Sequence, residues 1–315
     1  MSHDSPKSFW TEEFPRCARP DQPLGRMTTL RVGGPALVLS PRSIDELREI
    51  ACAARERGER LRAIGLGANL VVSDDGVLDP VVSTRQLREC RFEGRTVRAG
   101  AGALLPALVS ASARRGLSGL EPLVGIPATV GGAVAMNAGG RYGNTFDRLS
   151  RVAVLTARGE VEEREPAALK PEYRRTNLAD GEIVVEASFE LDSEQPDRVM
   201  GRTHDVLSEK SVRQPLDAWS AGCIFKNPSG SRSAGQLIEG AGLKGLSLGG
   251  AVVSEKHANF IVNRRDATAS DVHALIDAVR QRVRSRFGVD LDLEVRRWDR
   301  EPGPATLPAP VLQPT

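Results

Sequence analysis

Two glycine-rich runs are the residues best suited to holding a phosphate: Gly65-Leu66-Gly67-Ala68-Asn69-Leu70, and GIPATVGGAVAMNAG from Gly125 to Gly139. Glycine accepts positive φ and lets main-chain N–H groups come close to an anion. The second run is expected to open a helix whose first N–H groups face a pyrophosphate, with Pro127 in its first turn. Neither run is a GxGxxG fingerprint or a Walker loop, so each by itself also reads as a tight turn. Three further side chains have useful chemistry. The guanidinium of Arg174 can hold a carboxylate through two parallel bonds. Cys223 carries a thiol, a stronger acid than an alcohol, with a reference pKa of about 8.5. Glu294 can hold or pass a proton. Read without context, Arg174 and Glu294 are ordinary exposed charges and Cys223 is a buried structural cysteine. Cys17, Cys52, Cys90 and Cys223 form no CxxC pair, and His3, His204, His257 and His273 are scattered, so neither a metal site nor a disulfide framework is expected.

The elements that must position these groups follow from periodicity. Ala36–Ser40 reads as a buried strand. Ser43 and Glu46 then form a capping box for a helix with Leu47, Ile50, Ala51 and Ala54 on its apolar face. A strand at Leu61–Ile64 leads into the first glycine loop, which makes a parallel βαβ unit. Short strands at 81–82 and 96–99 and a helix over 104–115 follow. Further strands are expected at 152–156 and 183–191, and the polar stretch Asp192–Asp197 marks a boundary. A helix from Ser270 buries Val272, Leu275, Ile276, Val279, Val283 and Phe287 and stops at Gly288. After it, Val289, Leu291, Leu293 and Val295 alternate inward on a final strand, which places Glu294 on the opposite face. At 315 residues the chain exceeds one ordinary core, so two or three domains are expected. The charges, 43 basic and 41 acidic, leave a net +2, without the basic stripe of a nucleic-acid surface. No apolar run reaches the roughly 20 residues that span a bilayer, and the first 20 residues lack a signal-peptide core, so a cytoplasmic location without membrane insertion is expected.

Seven blocks bring these observations together: GLGANLVVSDDG, GIPATVGGAVAMNAG, YRRTNL, GCIFKNP, AGLKG, SEKHANFIVN and LEVR. In this order they resemble the UDP-N-acetylenolpyruvoylglucosamine reductases, over residues 24 to 300. The resemblance implies an α+β fold: a two-subdomain, PCMH-type FAD-binding module, then a C-terminal α/β substrate-binding domain. The division expected is a segment 1–23, the FAD module over 24–195 split near 85–95, the substrate domain over 198–300, and a disordered Pro-rich tail over 301–315. The reaction implied is NADPH-dependent, FAD-mediated reduction of the enolpyruvyl ether of a UDP-sugar in peptidoglycan precursor synthesis, by a monomer. By position, Gly65, Gly67, Ala68, Asn69 and Leu70 form one FAD loop. Ile126, Pro127, Thr129, Gly131, Gly132, Ala133, Asn137 and Gly139 form the other. No histidine or cysteine stands near these loops for covalent attachment, so FAD is expected to be non-covalent.

The resemblance also assigns catalytic roles. Arg174 holds the substrate carboxylate, Glu294 stabilises the enol-like intermediate, and the residue at position 223 gives the proton to carbon 2. The family commonly has serine there, in GSxFKNP, and this chain has Cys223. Tyr173, Lys210, Arg213 and Asn227 resemble substrate contacts, although each basic or polar side chain equally fits a solvated surface. The short run between Asn227 and Lys256 matches the subtype without a substrate-covering tyrosine loop. An FAD-linked oxidase of the same superfamily and a non-catalytic UDP-sugar or flavin-binding regulator are the competing readings.

Overall fold

The protein is described by a computed structural model over residues 6–230, 232–264 and 266–300. The tail expected to be disordered, 301–315, lies outside the described residues. In the first unit, α1 (Pro6–Glu13) precedes β1 (Ala18–Pro23), β2 (Pro35–Leu39), α2 (Ile44–Glu56), β3 (Arg62–Ile64), β4 (Leu70–Val72) and β5 (Val81–Ser83). Four of these strands form a sheet in the order β1-β2-β5-β3, in which β5 lies parallel to both β2 and β3. The βαβ unit is therefore present, with β5 inserted between its two strands. Residues 6–23 are built into this unit: β1 pairs with β2, and Trp10 is fully buried with its Nε1 donating to Glu59 at 2.8 Å.

Helix α2 shows how the local sequence acts. Ser43 accepts a hydrogen bond from the Glu46 N–H and caps the helix, and Leu47, Ile50, Ala51 and Ala54 are buried. The reciprocal half of the expected capping box is displaced by one residue, because the Glu46 carboxylate accepts from the Arg42 N–H at 2.7 Å.

The second unit contains β6 (Cys90–Glu93), β7 (Thr96–Gly100), α3 (Leu105–Arg114), α4 (Val130–Ala135), β8 (Leu149–Leu155), β9 (Val161–Arg164), β10 (Ile183–Glu190) and α5 (Pro196–Arg213). Its sheet runs β9-β8-β10-β7-β6 with every pair antiparallel. Helix α5, expected at the start of the C-terminal domain, instead packs against α3 of this unit. Val199 is fully buried there, and Arg202 pairs with Glu121 at 3.0 Å.

The third unit has β11 (Ser220–Cys223), α6 (Ala234–Gly240), β12 (Ala251–Val253), β13 (Phe260–Asn263), α7 (Ala269–Phe287) and β14 (Arg296–Trp298). Strands β11, β13 and β12 form an antiparallel sheet. Helix α7 carries a complete capping box, Thr268 with Asp271, and ends at Gly288 with φ 67°. The strand expected over 289–295 is not a regular ladder. Residues 292–294 bond to the loop after β11, with Lys226 N–H donating to Asp292 and Glu294 N–H to Ile224. The strand proper is β14, which lies parallel to β4 in the first unit. Asp74 completes the junction by accepting from the Ala269 and Ser270 N–H groups, which caps α7 from across the boundary.

Candidate active site

The three units meet at a cleft of about 660 Å³. One wall is the first glycine loop. Gly65 sits so close to the second loop that an added Cβ would lie 2.2 Å from Thr129 Oγ1. Gly67 has φ 60°, and a Cβ there would lie 2.8 Å from the Met27 carbonyl. Both positions require glycine, one for space and one also for its backbone. Arg85 fastens this loop, donating from Nε to the Gly65 carbonyl at 2.8 Å and from Nη2 to the Met27 carbonyl at 2.7 Å. Asn69 ties it to the third unit, because its Nδ2 donates to the Glu294 carbonyl at 3.0 Å.

The second wall runs from Gly125 to Gly139. Helix α4 begins at Val130, with Thr129 as its cap accepting from the Gly132 N–H at 3.3 Å. Pro127 therefore lies in the loop before the helix, and the expected first-turn placement is corrected. Ile126, Pro127, Thr129, Gly132 and Gly139 line the cleft, as do Gly65, Gly67, Ala68, Asn69 and Leu70. Three residues assigned to the cofactor do not. Gly131 backs onto Ala101, Ala133 is fully buried in the core, and the Asn137 amide donates to the Glu172 carbonyl.

The far wall brings together residues distant in sequence. Arg174, with φ 57°, donates from Nε to Glu294 Oε1 at 2.7 Å and from Nη2 to the Gly139 carbonyl at 2.6 Å. The Glu294 side chain is only 9% exposed, and its Oε2 accepts from the Tyr173 hydroxyl at 3.2 Å. Cys223 ends β11 beside them. Burial, reinforced by the Glu294 charge, pushes its thiol pKa up to about 12, against smaller opposing effects from Arg174 and a hydrogen bond with Asn259. The Sγ proton is therefore held at neutral pH.

The other assigned substrate contacts lie elsewhere. The Lys210 ammonium is buried and donates to the Pro122 and Val124 carbonyls, both at 2.7 Å. Arg213 is exposed and pairs with Glu209 at 3.1 Å, and Asn227 Oδ1 accepts from the Ala234 N–H at the start of α6. None of these three lines the cleft. Lining residues without a sequence signal include Arg26, Arg31, Arg85 and Trp219, and Met136 of the second glycine run lines the cleft too. Arg296, inside LEVR, also faces it. Five arginines stand here against the carboxylates of Asp217 and Glu294, a field suited to polyanionic ligands.

The residues present fit a flavin dinucleotide. The two loops touch through Gly65 and Thr129, so their main chains form one continuous cradle beside the arginines. A Cβ at Gly132 would approach only Thr129 Oγ1, at 3.4 Å, which leaves its cleft side open. Among the described residues, no group of three histidine, cysteine or acidic side chains could hold a metal, and no helix is long and apolar enough to cross a membrane.

Comparison with known proteins agrees with this layout. The family model described as UDP-N-acetylenolpyruvoylglucosamine reductase, C-terminal domain, matches residues 214–298, and an FAD binding domain model matches 35–164. The chain is 46% identical to the UDP-N-acetylenolpyruvoylglucosamine reductase of Moorella thermoacetica over 279 residues, 88% of this chain and 92% of that one. It is 43% identical to the enzyme of that name from Heliobacterium modesticaldum, across 87% and 88% of the two chains. The crystal structure of the reductase from Thermus caldophilus superposes with a TM-score of 0.78 at 39% identity, covering 89% of this chain and 99% of that one.

Proposed function

The chain belongs to the UDP-N-acetylenolpyruvoylglucosamine reductase family, and from that premise we propose how its own residues divide the work of the reaction. It is an FAD-dependent oxidoreductase that uses NADPH to convert UDP-N-acetylglucosamine enolpyruvate to UDP-N-acetylmuramate in peptidoglycan precursor synthesis. When bound, FAD supplies the transfer of a hydride from NADPH to carbon 3 of the enolpyruvyl group.

Arg174 anchors the enolpyruvyl carboxylate. Glu294 Oε1 and the Gly139 carbonyl fix its guanidinium through Nε and Nη2. As carbon 3 gains its hydride, negative charge spreads from carbon 2 into that carboxylate, where the guanidinium offsets it. Cys223 then passes its Sγ proton to carbon 2, which completes reduction of the double bond. The thiolate left behind is stabilised by Arg174 and regains a proton from solvent. Glu294, held by Arg174 and Tyr173 and joined through its carbonyl to Asn69 of the first glycine loop, orients the guanidinium that offsets this charge.

The observation that carries this assignment is the cluster of Arg174, Glu294 and Cys223 lining the cleft; Tyr173, which does not line it, bonds to Glu294. Anaerobic titration tests it. NADPH should bleach the yellow protein, and the enolpyruvyl UDP-sugar should restore the colour without oxygen. Recolouring by oxygen alone would refute the substrate assignment.

Several finer properties belong to the same proposal. The C-terminal domain begins after α5, because α5 packs on the second unit and the domain model starts at residue 214. Only α6 and a two-residue strand at 247–248 separate Asn227 from β12, which supports the subtype without the tyrosine loop. FAD is held non-covalently, and the enzyme works in the cytoplasm as a monomer.

A further inference from the structure

One wall of the cleft takes no part in the chemistry above. Trp219, immediately before β11, is 52% exposed, whereas Trp10 and Trp298 are buried. Its backbone is fixed: the Trp219 carbonyl accepts from the Asn263 N–H on β13 at 2.9 Å, continuing the sheet past the end of β11. A half-exposed indole is thus carried on a backbone fixed by the sheet. Arg31, from the first unit, sets its guanidinium carbon 5.8 Å from the centroid of that indole. Arg31 reaches there from a backbone with φ 62°, a conformation that a non-glycine residue adopts only under constraint. Both side chains line the main cleft. Trp219 also borders an adjoining cavity of about 430 Å³, which is lined by Lys256 and Arg264 as well.

We propose that Trp219 and Arg31 form a nucleobase seat at the mouth of the cleft, where a base stacks on the indole and its diphosphate runs inward toward the arginines. The proposal rests on the reductase reading and deepens it. A planar base offers a π-face to the indole, and the guanidinium beside the ring adds a cation–π and stacking contact. Spacing agrees. Trp219 lies four residues before Cys223, or about 13 Å along an extended chain, shortened by the irregular register between Ser220 and Cys223. A hexose and a diphosphate must fit between a nucleobase at one point and a reacting enolpyruvyl group at the other. The same chemistry, a base joined to a diphosphate, comes from two sources here: the uridine of the substrate and the adenosine of NADPH.

The test compares wild type, Trp219→Ala and Trp219→Phe as flavin-loaded proteins. The readouts are dissociation constants for UDP and for NADP⁺ by calorimetry, with KM and kcat for both substrates. Loss of one base–aromatic stack corresponds to about a 5- to 150-fold weakening. Trp219→Ala should weaken one ligand by about tenfold, with Trp219→Phe recovering most of it and kcat little changed. Weaker UDP binding assigns the seat to the substrate, and weaker NADP⁺ binding assigns it to the reductant. If both constants match wild type while flavin content is normal, the seat is wrong and the reductase reading stands. If wild-type protein binds neither ligand and NADPH does not bleach its flavin, both fall together.

Discussion

Removing the Cys223 sulfur is the sharpest test of the assigned chemistry. With its pKa pushed up to about 12, the thiol at pH 8 is ionised in only about one molecule in 10⁴. The donor form is therefore fully populated when carbon 2 needs its proton. A positioned general acid contributes about 10²- to 10⁴-fold, or about 3 to 5 kcal/mol of barrier. Cys223→Ala should slow the substrate-dependent half-reaction by that factor and leave bleaching by NADPH unchanged. Stopped-flow absorbance separates the two under anaerobic conditions. Cys223→Ser should retain substantial turnover, because a hydroxyl can fill the same role. If the alanine variant recolours as fast as wild type, the proton comes from elsewhere and the reasoning fails. The same pKa gives an independent check. A free thiol near pKa 8.5 is about one-quarter ionised at pH 8, so Cys223 should be alkylated far more slowly than a free thiol. The sign for stability follows from linkage. The folded thiol holds its proton more tightly than the unfolded one, so this contribution is intact below about pH 8.5 and is lost as the pH rises toward 12.

Two further expectations concern the cradle and the junction. Gly65→Ala would drive a methyl group to 2.2 Å from Thr129 Oγ1, so purified protein should retain little FAD, whereas Gly140→Ala, with nothing within 4 Å of the new carbon, should stay yellow. Asp74→Ala removes the carboxylate cap of α7 and should cost about 0.5 to 2 kcal/mol, read as a lower denaturation midpoint with a near-normal KM.

What could be read from the sequence depended on how local the controlling interaction was. Helix α2 was legible because Ser43 and four apolar residues specify it within a few positions. Alternation over 289–295 correctly put Leu291 and Val295 inside, yet it could not show that their backbone bonds a loop and that the paired strand starts at Arg296. Arg174 and Glu294 lie 120 positions apart, so no spacing rule joins them, and the motif order alone pointed to their meeting. Lys210 misled for a related reason. Basic residues near a phosphate-binding protein's cleft are expected to reach it, but this ammonium is absorbed by two carbonyls in the turn that precedes the second glycine loop. It supports the cradle from behind. Arg85 and Trp219 gave no signal because their roles depend on which loops pass beside them.

Strand β4, which leaves the first glycine loop, stands outside the first unit's sheet and, among the described residues, pairs with β14 alone. During synthesis the segment after Gly65–Asn69 must therefore wait for nearly every later residue of the fold before its ladder can close. A ribosome-bound fragment that stops short of Arg296 lacks this ladder and should emerge colourless.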